Sequence, residues 1–526
     1  MENRSHFYLV GGGIASLAAA AFLIRDGDIP GCAITILEQS SQLGGSLDGG
    51  GSPEHGYVIR GGRMLESKYL CTYDLFSSIP ALAKCQSVTQ EIFAWNQVMK
   101  TSSKARLIRS GHRLDAPEYG LSEKQILSLE MMAAAPERVL GASSIADHFD
   151  ASFFETNFWL MWCTTFAFQP WHSAVEFKRY LLRFAHMVPG FNRLQGVMRT
   201  IYEQYDSMVR PLRKWLDEHG VKFALNTRVI DLVCGHEGGR NAVKSILFTR
   251  GGLAGEIKLG AEDSVIATLG SMTEGSSLGS MDTAPILNGK SAGGAWTLWE
   301  KIAAGRPEFG RPSAFADHID QSKWISFTTT LHHSSFFRRV RDFTSNVPGE
   351  GGLVTLAESS WLASIVLPHQ PHFLSQPKDV DVFWGYGLAV DKPGDFVKKP
   401  MSACTGREIM TEILGHLRIE AGAQEILAAS NCIPCMMPFI TSQFLCRKSG
   451  DRPHVAPKGW ANLAFIGQFC ELPDDVVFTV EYSVRSAQTA VYSLLDLHRK
   501  PPAVYKGQYD PRNLYQVFAT LHDMKT

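Results

Sequence analysis

The start of the chain constrains its fold more than any other stretch. Residues 7–10 are apolar, Gly11-Gly12-Gly13 follow at once, and residues 15–23 form an Ala-rich helical run. Glycine lets the backbone turn tightly and approach a pyrophosphate, whose charge is met by the free amides and positive dipole end of the following helix. Gly11 and Gly13 take the first two glycine positions of this pattern and Ala15 opens the helix. Ser16 stands where a third glycine is usual, and is small enough for close packing of helix on strand. A second apolar strand, residues 33–37, runs into Glu38 and Gln39. A carboxylate at that point bonds both hydroxyls of a ribose and disfavours a 2′-phosphate. The chain is therefore expected to contain a parallel α/β unit that binds a dinucleotide.

At 526 residues and 45% hydrophobic composition, the chain is too long for one simple core, and two or three domains are expected. Lys plus Arg number 51 against 52 for Asp plus Glu, so no global field draws in nucleic acid, and a small molecule is the expected partner. Of ten cysteines only Cys432 and Cys435 have C-x-x-C spacing; without a second pair they predict buried thiols, and no metal site is expected. No basic leader precedes an apolar core, and no uncharged apolar run reaches the roughly 18 residues of a membrane span, so a soluble, cytoplasmic protein is expected.

Gly44-Gly45-Ser46 follows the acidic residue, then Arg60-Gly61-Gly62-Arg63, and far away Gly467 closes an apolar strand ahead of Phe478, Thr479 and Ser483. This arrangement resembles the large FAD family that includes amine oxidases and carotenoid desaturases. The resemblance implies FAD as cofactor, with those residues around it. The expected fold is α/β: a Rossmann-like FAD domain, glutathione-reductase or amine-oxidase-like, assembled from residues 1–85, 205–290 and 438–495. An α+β substrate domain would comprise residues 86–204 and 291–437, and a small helical appendage residues 496–526. The sequence also predicts helices over 123–134, 173–184, 208–219 and 514–522, strands over 221–225, 229–233, 354–356 and 380–384, and a turn at 235–239.

A second resemblance is narrower. Arg60-Gly61-Gly62-Arg63, Cys71-Thr72-Tyr73-Asp74-Leu75-Phe76, the aromatic block 162–176, Lys178-Arg179-Tyr180, Gln204-Tyr205-Asp206-Ser207, Gln370-Pro371-His372-Phe373 and residues 437–444 resemble the fatty acid double-bond hydratases, the oleate hydratase family once called myosin-cross-reactive antigens. The likeness runs essentially end to end. It implies hydration of the cis double bond of a long-chain unsaturated fatty acid, with FAD bound, most active when reduced, and no net redox change. Such chemistry needs an acid for one carbon, activated water for the other and stabilisation of developing positive charge. Tyr180 matches the family's proton donor.

The chain departs from the family at two places. Met64 stands where relatives carry a glutamate after Arg-Gly-Gly-Arg, and a thioether cannot serve as a base. Glu66 is the nearest carboxylate and would share a side with Met64 if the segment is extended. The family's Thr-x-Asn-x-x-x-His pattern becomes Val366 and Pro368 ahead of His372, which leaves His372 as His⁺, Gln204 or His369 to hold the carboxylate. Two other readings stay open: a true flavin oxidoreductase, desaturase-like or amine-oxidase-like, and a non-catalytic protein that binds fatty acid and FAD. Arg499, Lys500, Lys506 and Arg512 mark a site for peripheral membrane contact. Relatives include both monomers and homodimers.

Overall fold

In the computed structural model the glycine turn lies at the middle of a five-stranded parallel sheet, ordered Leu463–Ile466, Ser264–Thr268, Phe7–Val10, Ile34–Leu37, Lys222–Ala224. The structure describes residues 5–82 and 85–522; residues 1–4, 83–84 and 523–526 of the expected first and last segments lie outside the described residues. The central strands read as continuous apolar runs because the sheet is packed by the helices Ile14–Arg25 and Val480–Leu494 and by the three-stranded antiparallel sheet Thr227–Glu237, Arg240–Arg250, Leu253–Lys258. The helix Ile14–Arg25 is buried from Ile14 to Leu23, and its alanines let it lie closely between the sheet and the helix Val480–Leu494. Ser16 is buried, its hydroxyl 3.3 Å from that of Thr268, so its small side chain serves helix-on-strand packing.

The second layer is an eight-stranded mixed sheet, ordered Ser277–Leu278, Ser430–Met437, Trp324–His332, Val380–Gly387, Ala363–Val366, Leu353–Leu356, Ala105–Arg109, His112–Asp115. Its central strand Trp324–His332 carries a run of buried threonines that would be odd in a simple core. Their hydroxyls bind a neighbouring hairpin, since Thr328 Oγ1 accepts the Ile59 N–H at 3.0 Å and Thr330 Oγ1 that of Tyr57 at 2.9 Å. The hairpin Gly49–Ser52/Gly56–Ile59 is thereby pinned across the sheet, which sets Arg60 to Met64 between the two layers.

The structure differs from the sequence reading at several points. Strands Ala105–Arg109 and His112–Asp115 sit in a stretch, 87–136, that reads as a polar excursion; as a sheet edge they need little apolar pattern. The strand Thr227–Glu237 runs through the expected 235–239 turn, because only Gly238 and Gly239 adopt the positive φ of a tight hairpin before Arg240–Arg250 begins. The expected boundary at 290 is crossed twice. Ser277–Leu278 pairs with Cys435 and Met436 in the large sheet, whereas the helix Ala295–Ala303 lies on the dinucleotide side, its first amide donated to Glu274. The C-terminal helix spans Pro511–Leu521 and packs on the 3₁₀ stretch Ala185–Arg193. No helix of the described residues is long and apolar enough to cross a membrane.

Candidate active site

Two concavities meet between the layers. The first is a cleft of about 1070 Å³ at the glycine turn. Gly11, Gly13, Ala15, Glu38, Gln39, Gly45, Ser46, Arg60, Gly467 and Ser483 all line it. The Gly44-Gly45 step comes against the turn: both have positive φ, and a Cβ on Gly45 would stand 3.0 Å from Gly13 Cα. The helix Ile14–Arg25 begins at Gly13 with no side-chain cap and no acidic residue in its first turn, so its leading amides are free for a phosphate. Glu38 ends the second strand, its carboxylate accepting the N–H of Gly12 at 2.5 Å and of Ser40 at 2.7 Å, which holds it at the ribose position. Arg60 ties the parts together by donating to Asp48 at 2.8 Å, Gly45 O at 2.9 Å and Thr273 O at 3.1 Å. Free helix amides, a glycine cradle and a placed carboxylate fit an adenine dinucleotide. Thr479 lies outside this lining: its hydroxyl caps the helix Val480–Leu494.

The lining also contains residues that sequence reasoning missed: Thr268, Met272, Glu274 and the start of the helix Ala295–Ala303. Burial pushes the Glu274 carboxyl up to about 7, although it accepts the Ala295 N–H. A strand followed by Gly270, at residues 264–270, is the signal that could have found them.

The second concavity, about 1150 Å³, adjoins the first at Ser46, which lines both. Its wall is aromatic, with Trp95, Trp324, Trp384, Tyr386 and Phe478, and it gathers Gly61, Gly62, Arg63, Met64, Gln204, Val366, Pro368, His369 and His372. Gly61, Gly62, Arg63 and Phe478, expected around the cofactor, thus face this second space. Burial and the nearby Arg60 pull the Arg63 guanidinium down to about 10; it lies 5.1 Å over the Phe478 ring and makes no ion pair among the described residues. Gln204 spends its amide N–H on Arg63 O at 2.7 Å. Burial, with the charge of Arg199, pulls His372 down to about 3, so it is neutral rather than the expected His⁺; burial also lowers His369.

Glu66 goes elsewhere. Leu65–Glu66 is extended and pairs with Val197–Met198, but Met64 lies outside that strand, and Glu66 is buried 2.8 Å from Arg183 rather than in the cavity beside Met64. Burial favours its acid form, yet His186 and Arg183 hold its carboxyl below the usual range. The ion pair is what turns the side chain away. Two carboxyls missed in the sequence do line the cavity: Asp48, paired with Arg60, and Glu203, which accepts the Tyr205 and Asp206 amides and is pushed by burial up to about 8.

Tyr180 lies just behind the wall. Its helix, Ala174–Arg183, is locked to the closing segment by Glu176, 2.8 Å from Arg452 and 3.0 Å from Arg447; burial alone would raise that carboxyl, but the arginines bring it down to about 2. The Tyr180 ring is caged by Phe166 and Phe168 at 5.0 and 4.9 Å, and its hydroxyl donates to Val477 O at 2.6 Å, one residue from the wall at Phe478. Burial raises its pKa well above the ordinary value, while Arg63 acts in the opposite direction.

Cys432 and Cys435 lie buried on one strand with thiols pushed by burial up to about 12. Asp395, Glu412 and His416 form a cluster of metal-ligating types outside both concavities, but the Glu412 oxygens are occupied by the amides of Asp395, Phe396 and Val397.

The fold is that of the amine oxidases, with a cleft whose lining fits a dinucleotide. Cyclohexylamine oxidase from Brevibacterium oxydans IH-35A superposes over 94% of this chain and 100% of its own, with a TM-score of 0.54 at 13% identity. A putrescine oxidase covers 94% and 99% with a TM-score of 0.52 at 12% identity. The sequence is more specific: the MCRA family profile matches residues 4–492, and the chain belongs to that family. It is 39% identical to an oleate hydratase of Streptococcus pyogenes serotype M49 (strain NZ131), over 99% of this chain and 90% of that one. It is 31% identical to a linoleate hydratase of Lactiplantibacillus plantarum, over 99% of both.

Proposed function

We propose that the protein binds FAD in the first concavity and adds water across the cis double bond of a long-chain unsaturated fatty acid in the second, without net oxidation. The observation that carries this reading is the aromatic-walled cavity opening onto the cofactor cleft at Ser46, in a chain whose relatives are oleate and linoleate hydratases. Bound there, FAD supplies an electron-rich ring that stabilises positive charge, most strongly when reduced.

Tyr180 holds the proton to be delivered. Its phenol stays protonated in its buried cage, and delivery requires the hydroxyl to turn from Val477 O to the wall at Ala167 and Phe478. Arg63 then favours the phenolate left behind. Water is not deprotonated in advance. Met64 has no basic atom, Glu66 is committed to Arg183, Asp48 to Arg60, and Glu203 is protonated at neutral pH. Protonation of the alkene comes first, the aromatic wall steadies the cation, neutral water captures it, and the proton that water then releases returns to the Tyr180 phenolate, which restores the donor.

In this reading the cofactor unit comprises residues 1–85, 205–290 and 438–495, less 277–278 and with the helix Ala295–Ala303 added. Peripheral membrane contact falls to the appendage 496–526, where Tyr509, Leu514, Tyr515 and Phe518 are exposed near Arg512, while Lys506 is taken up by Asp474. Liposome co-sedimentation unchanged by serine at Leu514, Tyr515 and Phe518 would count against that contact.

The test of the reaction is anaerobic incubation with oleate and linoleate in heavy-oxygen water. A product heavier by one labelled water, with the flavin spectrum unchanged, supports hydration. Flavin bleaching in step with product favours an oxidoreductase instead, and tight binding without product favours a carrier.

A further inference from the structure

We infer that Arg199 is the anchor for the substrate's carboxylate, in place of the polar pair this chain lacks at Val366 and Pro368. The inference rests on the fatty-acid reading above. Arg199 directly follows the strand Val197–Met198, which pairs with Leu65–Glu66, so the segment that carries Met64 also sets Arg199 in the cavity wall, beside Trp95, Gly349 and His369. Its backbone is fixed on both sides by Asn96, which accepts the Arg199 N–H at 2.9 Å and donates to its carbonyl at 2.7 Å.

The guanidinium itself is nearly idle. Nη1 donates to Gly349 O at 3.2 Å, and Arg199 makes no ion pair among the described residues. Burial pulls it down to about 10, so it is still a cation at neutral pH. A half-buried cation in a cavity wall without an anion is a ready partner for one, and the planar fork of an arginine matches a carboxylate with two parallel hydrogen bonds.

The other candidates offer less: His372 is neutral and His369 is lowered by burial, Val366 and Pro368 have no side-chain donor, and Gln204 already gives one amide N–H to Arg63 O, so none of them brings a cation with a two-pronged donor set. Arg63, the cavity's other guanidinium without an ion pair, lies over the Phe478 ring and acts on Tyr180, so it serves the end of the cavity where the proton is delivered rather than the head group. With the head group fixed at Arg199, regiochemistry is set by the number of carbons between it and the reacting centre.

Calorimetric titration of the FAD-loaded protein with palmitate and with methyl palmitate, neither of which can react, tests the assignment. Arg199→Met is expected to raise the Kd for palmitate about 10- to 100-fold. The Kd for methyl palmitate should stay within about twofold of wild type, the change expected of a surface substitution. Arg199→Lys, which keeps the charge but not the fork, should fall between, and flavin content reports folding of each variant. In turnover, KM for oleate rises while kcat holds. Equal palmitate affinity in wild type and both variants, or equal weakening of acid and ester, overturns the role of Arg199 and leaves the fatty-acid reading standing. Failure of the wild type to bind palmitate overturns the fatty-acid reading itself.

Discussion

The cofactor cleft and the acyl cavity share Ser46 but are built in opposite ways. The cleft is made of backbone: glycines, helix amides and one placed carboxylate, contributed mainly by short contiguous motifs. The cavity is made of side chains drawn from scattered segments, and it leaves two guanidiniums without anions. The first construction admits little change at any position. The second can change its polar contacts one at a time, which is how Met64, Val366 and Pro368 can depart from relatives without loss of the fold.

The sharpest break of this contrast is Gly12→Val. A Cβ there would stand 2.6 Å from Leu43 Cδ2 and 2.9 Å from Glu38 Oε2. The variant is expected to purify without flavin, read as the ratio of flavin to protein absorbance, while a comparable change in the cavity leaves that ratio intact. Next comes Tyr180→Phe, expected to lower kcat by about 10²- to 10⁴-fold with flavin content and palmitate binding unchanged. Retention of more than a tenth of wild-type kcat would falsify the donor role.

Glu203→Gln probes the cavity's raised carboxyl. A carboxyl held near 8 in the folded chain, above its unfolded value, stabilises the fold fully at low pH and loses that contribution as pH rises through about 8. Wild-type stability should fall between about pH 4.5 and 8 more steeply than that of the variant, by up to about 1.4 kcal/mol per pH unit, measured by urea titration at several pH values. Met64→Glu, which restores a carboxylate beside Arg63, should raise kcat by about tenfold or more; no gain would mean that neutral water suffices. The smallest effect is expected of Val366→Thr with Pro368→Asn. Two added hydrogen bonds should lower KM for oleate only a few-fold, since Arg199 already holds the head group.

The same contrast explains what could be read from the sequence. Gly11 to Ser16 and Glu38 carry a pattern because backbone geometry demands particular residues at fixed spacing. Arg199 has no such pattern: a lone arginine reads as a solvated charge, and only tertiary packing reveals that it stands in a cavity wall without an anion. Glu203 was hidden the same way beside a recognisable Gln204. Glu66 was placed beside Met64 on strand periodicity, but the strand begins only at Leu65 and the buried charge of Arg183 decides where the side chain goes. Thr479, read as a cofactor contact, caps the helix Val480–Leu494, a role that also favours a small hydroxylated residue, whereas Ser16 packs helix on strand as its size predicts.

The order of strands in the parallel sheet bears on how the protein is made. The strand that opens the chain, Phe7–Val10, pairs with Ser264–Thr268, and that strand pairs in turn with Leu463–Ile466. The helix Leu70–Ser77 likewise begins with Cys71 and Thr72 amides donated to Glu481 at 2.9 and 2.8 Å. A nascent chain leaving the ribosome therefore exposes its glycine turn long before the residues that complete the cleft exist. At about 5–20 residues per second this interval lasts tens of seconds, so flavin capture is expected only after synthesis has ended, and a chain truncated before Gly467 should be a substrate for chaperones and proteases rather than a partly active enzyme.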